Sequence, residues 1–118
     1  MSFDRSEVEP FGCEVEPALA SVVVRPIGEL DLATVPTVEA YLNELWSLGF
    51  TRIALDLTDV RFLDSTALRL VVDWTANAST DGFAFGVIPG PPQVRRLFEL
   101  AGVADRVTLW SADGQTRV

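Results

Sequence analysis

The chain has 118 residues, 48% of them hydrophobic and 22% charged, and a formal net charge of -8, which fits one folded domain rather than a disordered or fibrous segment. It has no His and no Lys, all nine basic residues being Arg. That excludes nucleophiles activated by imidazole, His-ligated zinc, lysine Schiff bases and phosphate-loop lysines.

The acidic balance opposes nucleic acid and anionic membranes as partners and points to a protein instead. Residues 1 to 60 carry 11 acidic and 3 basic side chains, whereas residues 61 to 118 carry six of each. The single cysteine, Cys13, reads as a small apolar filler in a reducing compartment. The N-terminus, with Asp4, Glu7 and Glu9, lacks a signal-peptide pattern, and no stretch approaches a bilayer-spanning length, so a cytoplasmic protein is expected.

In chain order, residues 1 to 10 read as a flexible lead-in ending at Pro10, residues 11 to 110 as the domain, and residues 111 to 118 as a C-terminal tail. Phe11 to Glu16 and Ser21 to Ile27 predict two hairpin strands, with Pro17 in their connection. Thr34 predicts a helix cap, with Pro36 in the first turn. Val38, Tyr41, Leu42, Leu45 and Trp46 then recur at helical spacing until Gly49, placing Trp46 in the core.

Ile53, Leu55 and Leu57 alternate as a strand, and Asp59 to Leu63 read as a connection. Leu68, Leu70, Val71, Val72 and Trp74 predict a second helix, again with its Trp in the core. Phe83 to Ile88 is a further strand, Val94 to Leu100 a short helix, and Val107 to Leu109 a last strand, close to Trp110. Strands alternating with helices predict an α/β domain: a mixed, mostly parallel sheet of about five strands with helices packed against it.

In such a fold, loops at the carboxyl ends of strands are the usual place for function. Two are distinctive here: Gly28-Glu29-Leu30-Asp31 and Phe62-Leu63-Asp64-Ser65-Thr66. Ser65 falls at or beside a helix N-terminus, where a hydroxyl or carboxylate ordinarily caps free N–H groups. A phosphate there would instead add about -1.5 to -2 charges without remodelling the fold. The local pattern leaves both readings open.

The segment Leu55 to Leu70, LDLTDVRFLDSTALRL, resembles the signature of the STAS family, the domain of bacterial anti-sigma factor antagonists. Gly28 to Asp31 and Val94 to Gly102 add two further matches in the same order. Each motif alone is commonplace; the three together, spread over residues 11 to 110, make the resemblance specific. Ala67 stands where the family usually carries Gly, and Thr66 replaces a common Ser.

The resemblance implies a regulatory binding module rather than an enzyme, without cofactor or metal. Unphosphorylated, it binds an anti-sigma factor that is also a serine kinase, freeing a sigma factor for transcription in stress signalling. Phosphorylation of Ser65, with Thr66 as the alternative acceptor, ends the binding, and a serine phosphatase that resets it is a further partner the resemblance allows. Asp31, Asp64, Ser65 and Thr66 are the expected partner-binding residues.

A STAS scaffold or ligand-sensing module in a signalling or transport complex is the alternative, although a stand-alone length disfavours the transporter-linked type. An enzyme using Ser65 as nucleophile lacks a base, since Asp64 is acidic by default. Arg95 and Arg96 read as a solvated helix face. Glu7, Glu9, Glu14 and Glu16 read as solubilising charge, too loosely spaced for a metal site.

Overall fold

The computed structural model describes residues 11–18 and 21–111. The expected lead-in, and the expected tail apart from Ser111, lie outside these residues. The elements are β1 (Gly12–Ala18), β2 (Ser21–Leu30), α1 (Val35–Ser47), β3 (Arg52–Asp56), β4 (Val60–Leu63), α2 (Ser65–Asp81), β5 (Ala84–Ile88) and α3 (Pro92–Leu100), followed by a 3-10 turn at Ala104–Arg106.

The sheet runs β1-β2-β3-β5. β1 pairs antiparallel with β2, while β2 with β3 and β3 with β5 are parallel. The long β2 uses one side twice: Ser21 to Val24 pair with β3, and Gly28 to Leu30 pair with β4 across an irregularity between Gly28 and Glu29. The α/β class with a mixed, mostly parallel sheet of five strands is therefore as the sequence predicts, but two strands are assigned differently.

Asp59 to Leu63 is not a mere connection, because Val60–Leu63 forms β4. Its sequence, VRFL, is too short for alternation to be recognised, and its pairing with the end of β2 supplies the missing signal. Conversely, Val107 to Leu109 does not form a strand of its own. Only an isolated parallel bridge joins Leu109 to Val87, held by Val87 N–H to Thr108 O and Trp110 N–H to Val87 O, both 2.8 Å.

Pro17 lies inside β1, opposite Val22, rather than in the turn. An edge strand tolerates the missing donor. In β3, Ile53 to Asp56 are all buried, because both faces of this central strand are covered.

Val22, Val24, Ile53, Leu55, Phe85 and Val87 form one core with the apolar stripes of all three helices. These stripes are Val38, Leu42 and Leu45 on α1, Leu70, Val71 and Trp74 on α2, and Val94 and Phe98 on α3. Burial of such side chains is worth about 1.5 to 3 kcal/mol each. Trp74 is in this core as expected. Trp46 is not: it stays 45% exposed, at the edge of the α1 stripe, with its ring 6.0 Å from that of Phe83.

Ala54, Ile88 and Trp110 form a smaller cluster, with Val23 and Ala84 against it, on the other face of the sheet. A Cβ on Gly86 would fall 2.1 Å from Trp110 Cδ2, so only glycine lets the indole lie on the strand. The Arg52 guanidinium sits 4.0 Å from the Trp110 ring centroid, a cation–π contact that helps fix the ring. Trp110 is thus buried packing.

Candidate functional site: the N-terminus of the second long helix

β2 ends at Leu30 and β4 at Leu63, and these two residues face each other in register. The loops that follow therefore leave the sheet side by side. The Asp64 N–H donates to Leu30 O at 3.2 Å, and the Leu32 N–H donates to Asp64 Oδ2 at 3.1 Å. The two loops that stand out in the sequence are thus hydrogen-bonded to each other.

Asp64, not Ser65, caps α2. Its Oδ1 accepts from the N–H groups of Thr66 at 2.9 Å and Ala67 at 3.1 Å, while its extended backbone lets its own carbonyl accept the helical bond from Leu68. An aspartate here also places negative charge against the positive end of the helix dipole. With the cap filled, Ser65 becomes the first helical residue, exposed and with no hydrogen bond to its hydroxyl among the described residues. Thr66, one position on, is partly covered.

Asp31 organises the other loop. Its Oδ1 accepts from Ala33 N–H at 3.0 Å and Thr34 N–H at 3.2 Å, an Asx turn that fixes the chain before α1. Thr34 occupies the expected cap position of α1, but its side chain does not cap the helix. The hydroxyl instead accepts from Asp31 N–H and donates to Glu29 O at 2.7 Å, so it braces the loop.

All four expected site residues, Asp31, Asp64, Ser65 and Thr66, consequently lie on one edge of the sheet. No arginine among the described residues pairs with Asp31 or Asp64. Ala67 is buried in the main core, whereas Ser65 is exposed.

Both Asp64 oxygens are occupied by backbone donors, and neither contacts the Ser65 hydroxyl. This arrangement gives the serine no base. Among the described residues no three His, Cys, Asp or Glu side chains are grouped to hold a metal ion. Arg95 and Arg96 are exposed on α3.

The sequence reading of Glu14 and Glu16 as plain solubilising charge needs correction; Glu7 and Glu9 lie outside the described residues. Arg25 Nη1 lies 2.9 Å from Glu14 and 3.6 Å from Glu16, and Arg25 Nε lies 3.1 Å from Asp56 Oδ2. The Asp56 hydrogen bond, aided by the nearby carboxylates, raises the Arg25 pKa against the opposing effect of burial. Cys13 is half-buried against the core, and burial, with Glu14 beside it, pushes its thiol pKa up. It is therefore a poor nucleophile at neutral pH.

With the fold and this edge defined, the STAS domain profile matches residues 14–114. The chain belongs to the STAS domain family. It is similar to the anti-sigma-B factor antagonist of Staphylococcus aureus, with 32% identity over 78 residues covering 66% of this chain and 72% of that one. It is also similar to the crystal structure of an anti-sigma factor antagonist from Mycobacterium paratuberculosis, with TM-score 0.71 and 26% identity over 88% of this chain and 89% of that chain.

The unphosphorylated form of the anti-sigma factor antagonist SpoIIAA shares the fold, with TM-score 0.70 and 22% identity over 86% of this chain and 90% of that chain. No helix among the described residues is long and apolar enough to cross a membrane.

Proposed function

We propose that this STAS domain is an anti-sigma factor antagonist acting in the cytoplasm, which binds a serine-kinase anti-sigma factor while Ser65 is unphosphorylated and is released once Ser65 carries phosphate. The observation that carries this reading is the exposed, unbonded Ser65 hydroxyl at the first position of α2, with the capping role taken by Asp64. A serine engaged as the cap would have to break that bond to react; this one is available. The relatives named as antagonists supply the partner class. Ser65 is preferred to Thr66 because it is the more exposed.

The charge physics favours release. Two of the α2 N-terminal N–H groups, those of Thr66 and Ala67, are already taken by Asp64, so the added charge stays at the surface beside Asp64 and Asp31. Brought into a packed interface without a matching cation, it would cost about 2 to 5 kcal/mol, about 30-fold to 4000-fold in affinity. Return to the binding state would then require a serine phosphatase.

The test is affinity capture with wild-type, Ser65→Ala and Ser65→Asp baits, followed by mass spectrometry. Retention of a serine-kinase anti-sigma factor by Ser65→Ala, with its loss from Ser65→Asp, is expected. Identical recovery by all three would remove the switch and favour a scaffold or ligand-sensing role.

A further inference from the structure

Two large apolar side chains stand out on the Ser65 edge. Leu32 is 74% exposed and Phe62 50% exposed, although each belongs to a segment whose backbone is firmly held. Leu32 is tied by its N–H to Asp64 Oδ2, and Phe62 lies in β4 opposite Glu29, one residue before the Leu30/Leu63 pair. Fixed backbones carrying uncovered apolar groups are suited to docking, because little further ordering is needed on binding.

The surrounding charge selects the occupant. Glu29 and Asp59 are exposed nearby, and Asp31 and Asp64 are partly exposed with, among the described residues, only backbone or hydroxyl donors on their carboxylates. Arg61 is the one basic residue within this stretch of β4 and its flanking loops. A second copy of this chain, with the same acidic rim, would be repelled, and so would an anionic membrane.

We infer that Leu32 and Phe62 are the apolar anchors of the partner interface, and that they seat in an apolar recess bordered by Arg or Lys on a protein partner. This rests on the proposed function in that Ser65 lies on the same edge, so a phosphate there would enter the contact. The anchors give the contact its hold, and the acidic rim gives it salt dependence and selectivity.

The experiment places the photo-crosslinker p-benzoylphenylalanine at position 32, at position 62 or, as a control, at position 48, where Leu48 is equally prominent but lies at the end of α1. Full-length chains are irradiated in lysate of the source organism, and the crosslinked peptides are sequenced by mass spectrometry. Positions 32 and 62 are expected to mark one protein, in a segment of apolar residues interleaved with Arg or Lys. The yield should fall at least 5-fold between 50 and 500 mM NaCl, and position 48 should not mark that segment.

No adduct above the position 48 background, an adduct with a second copy of this chain or with lipid, or an acidic or uncharged target segment would overturn the inference. Repeating the experiment on a Ser65→Asp background separates the two proposals. A basic, apolar adduct that persists there leaves the docking surface standing and removes the phosphate switch. Failure of positions 32 and 62 to crosslink, while Ser65→Ala still captures a kinase that Ser65→Asp loses, removes the anchors and leaves the switch.

Discussion

Asp56 and Asp64 each end a β-strand or follow one directly, yet they are used in opposite ways. Asp56 is 5% exposed; one oxygen accepts from the N–H and hydroxyl of Thr58, and the other meets Arg25, which in turn holds Glu14. Asp64 spends its oxygens on three backbone N–H groups and meets no cation among the described residues. The first arrangement neutralises a buried charge and ties β1, β2 and β3 together. The second fixes two loops while leaving negative charge and a free hydroxyl at the surface.

Aromatic residues repeat the contrast. Trp110 is buried over Gly86 on the outer face of the sheet, whereas Phe62 stays exposed on the Ser65 edge. Charge that is compensated and apolar surface that is covered serve stability; where both are left open on a rigid frame, the proposed function has the surface serve recognition.

The contrast breaks if substitutions in the compensated region impair partner binding as much as folding. The largest effect is expected for Asp56→Ala, which strands a partly buried arginine. It should lower stability by about 2 to 4 kcal/mol, less than the full cost of splitting a buried pair because Glu14 and Glu16 remain. Urea unfolding reads the loss, and affinity for the proposed kinase partner measured well below the midpoint should hold within about 2-fold.

Gly86→Ala comes next, since the added methyl group must displace the indole of Trp110. A loss of about 1 to 3 kcal/mol is expected, with a red shift in tryptophan emission and no change in phosphorylation rate.

Asp64→Asn sharpens the comparison at the smallest cost in stability, because asparagine keeps a capping oxygen; less than about 1 kcal/mol should be lost. Its effect belongs on the functional side, as a changed rate of Ser65 phosphorylation by the kinase at unchanged secondary structure by circular dichroism. An unchanged rate would reduce Asp64 to a cap.

The fold was legible where periodicity extends over enough residues. α1 and α2 follow from stripes such as Val38, Leu42 and Leu45, and the hairpin follows from the β-branched run Val22 to Val24. β4 was not legible, since its four residues become a strand only through pairing with a segment about 32 positions earlier. Nor was the exposure of Trp46, because a helical stripe does not reveal how far the sheet beneath it extends.

At the site, the motif brought Asp31, Asp64, Ser65 and Thr66 into view, and proximity of the two loops was conditional until the Asp64 contacts with Leu30 and Leu32 showed it. The division of labour between Asp64 as cap and Ser65 as exposed hydroxyl needed the helix phase to one residue. Leu32 and Phe62 carry no sequence signal of their exposure, being apolar residues beside apolar strands. The Arg25 network likewise depends on the cross-strand register of Glu14 and Arg25.

The most direct test of the account is calorimetric titration of the purified serine-kinase anti-sigma factor with this chain, once unphosphorylated and once carrying stoichiometric phosphate on Ser65, verified by peptide mass. The account predicts tight binding of the first form and affinity at least about 30-fold weaker for the second. Equal affinity of the two forms would contradict it.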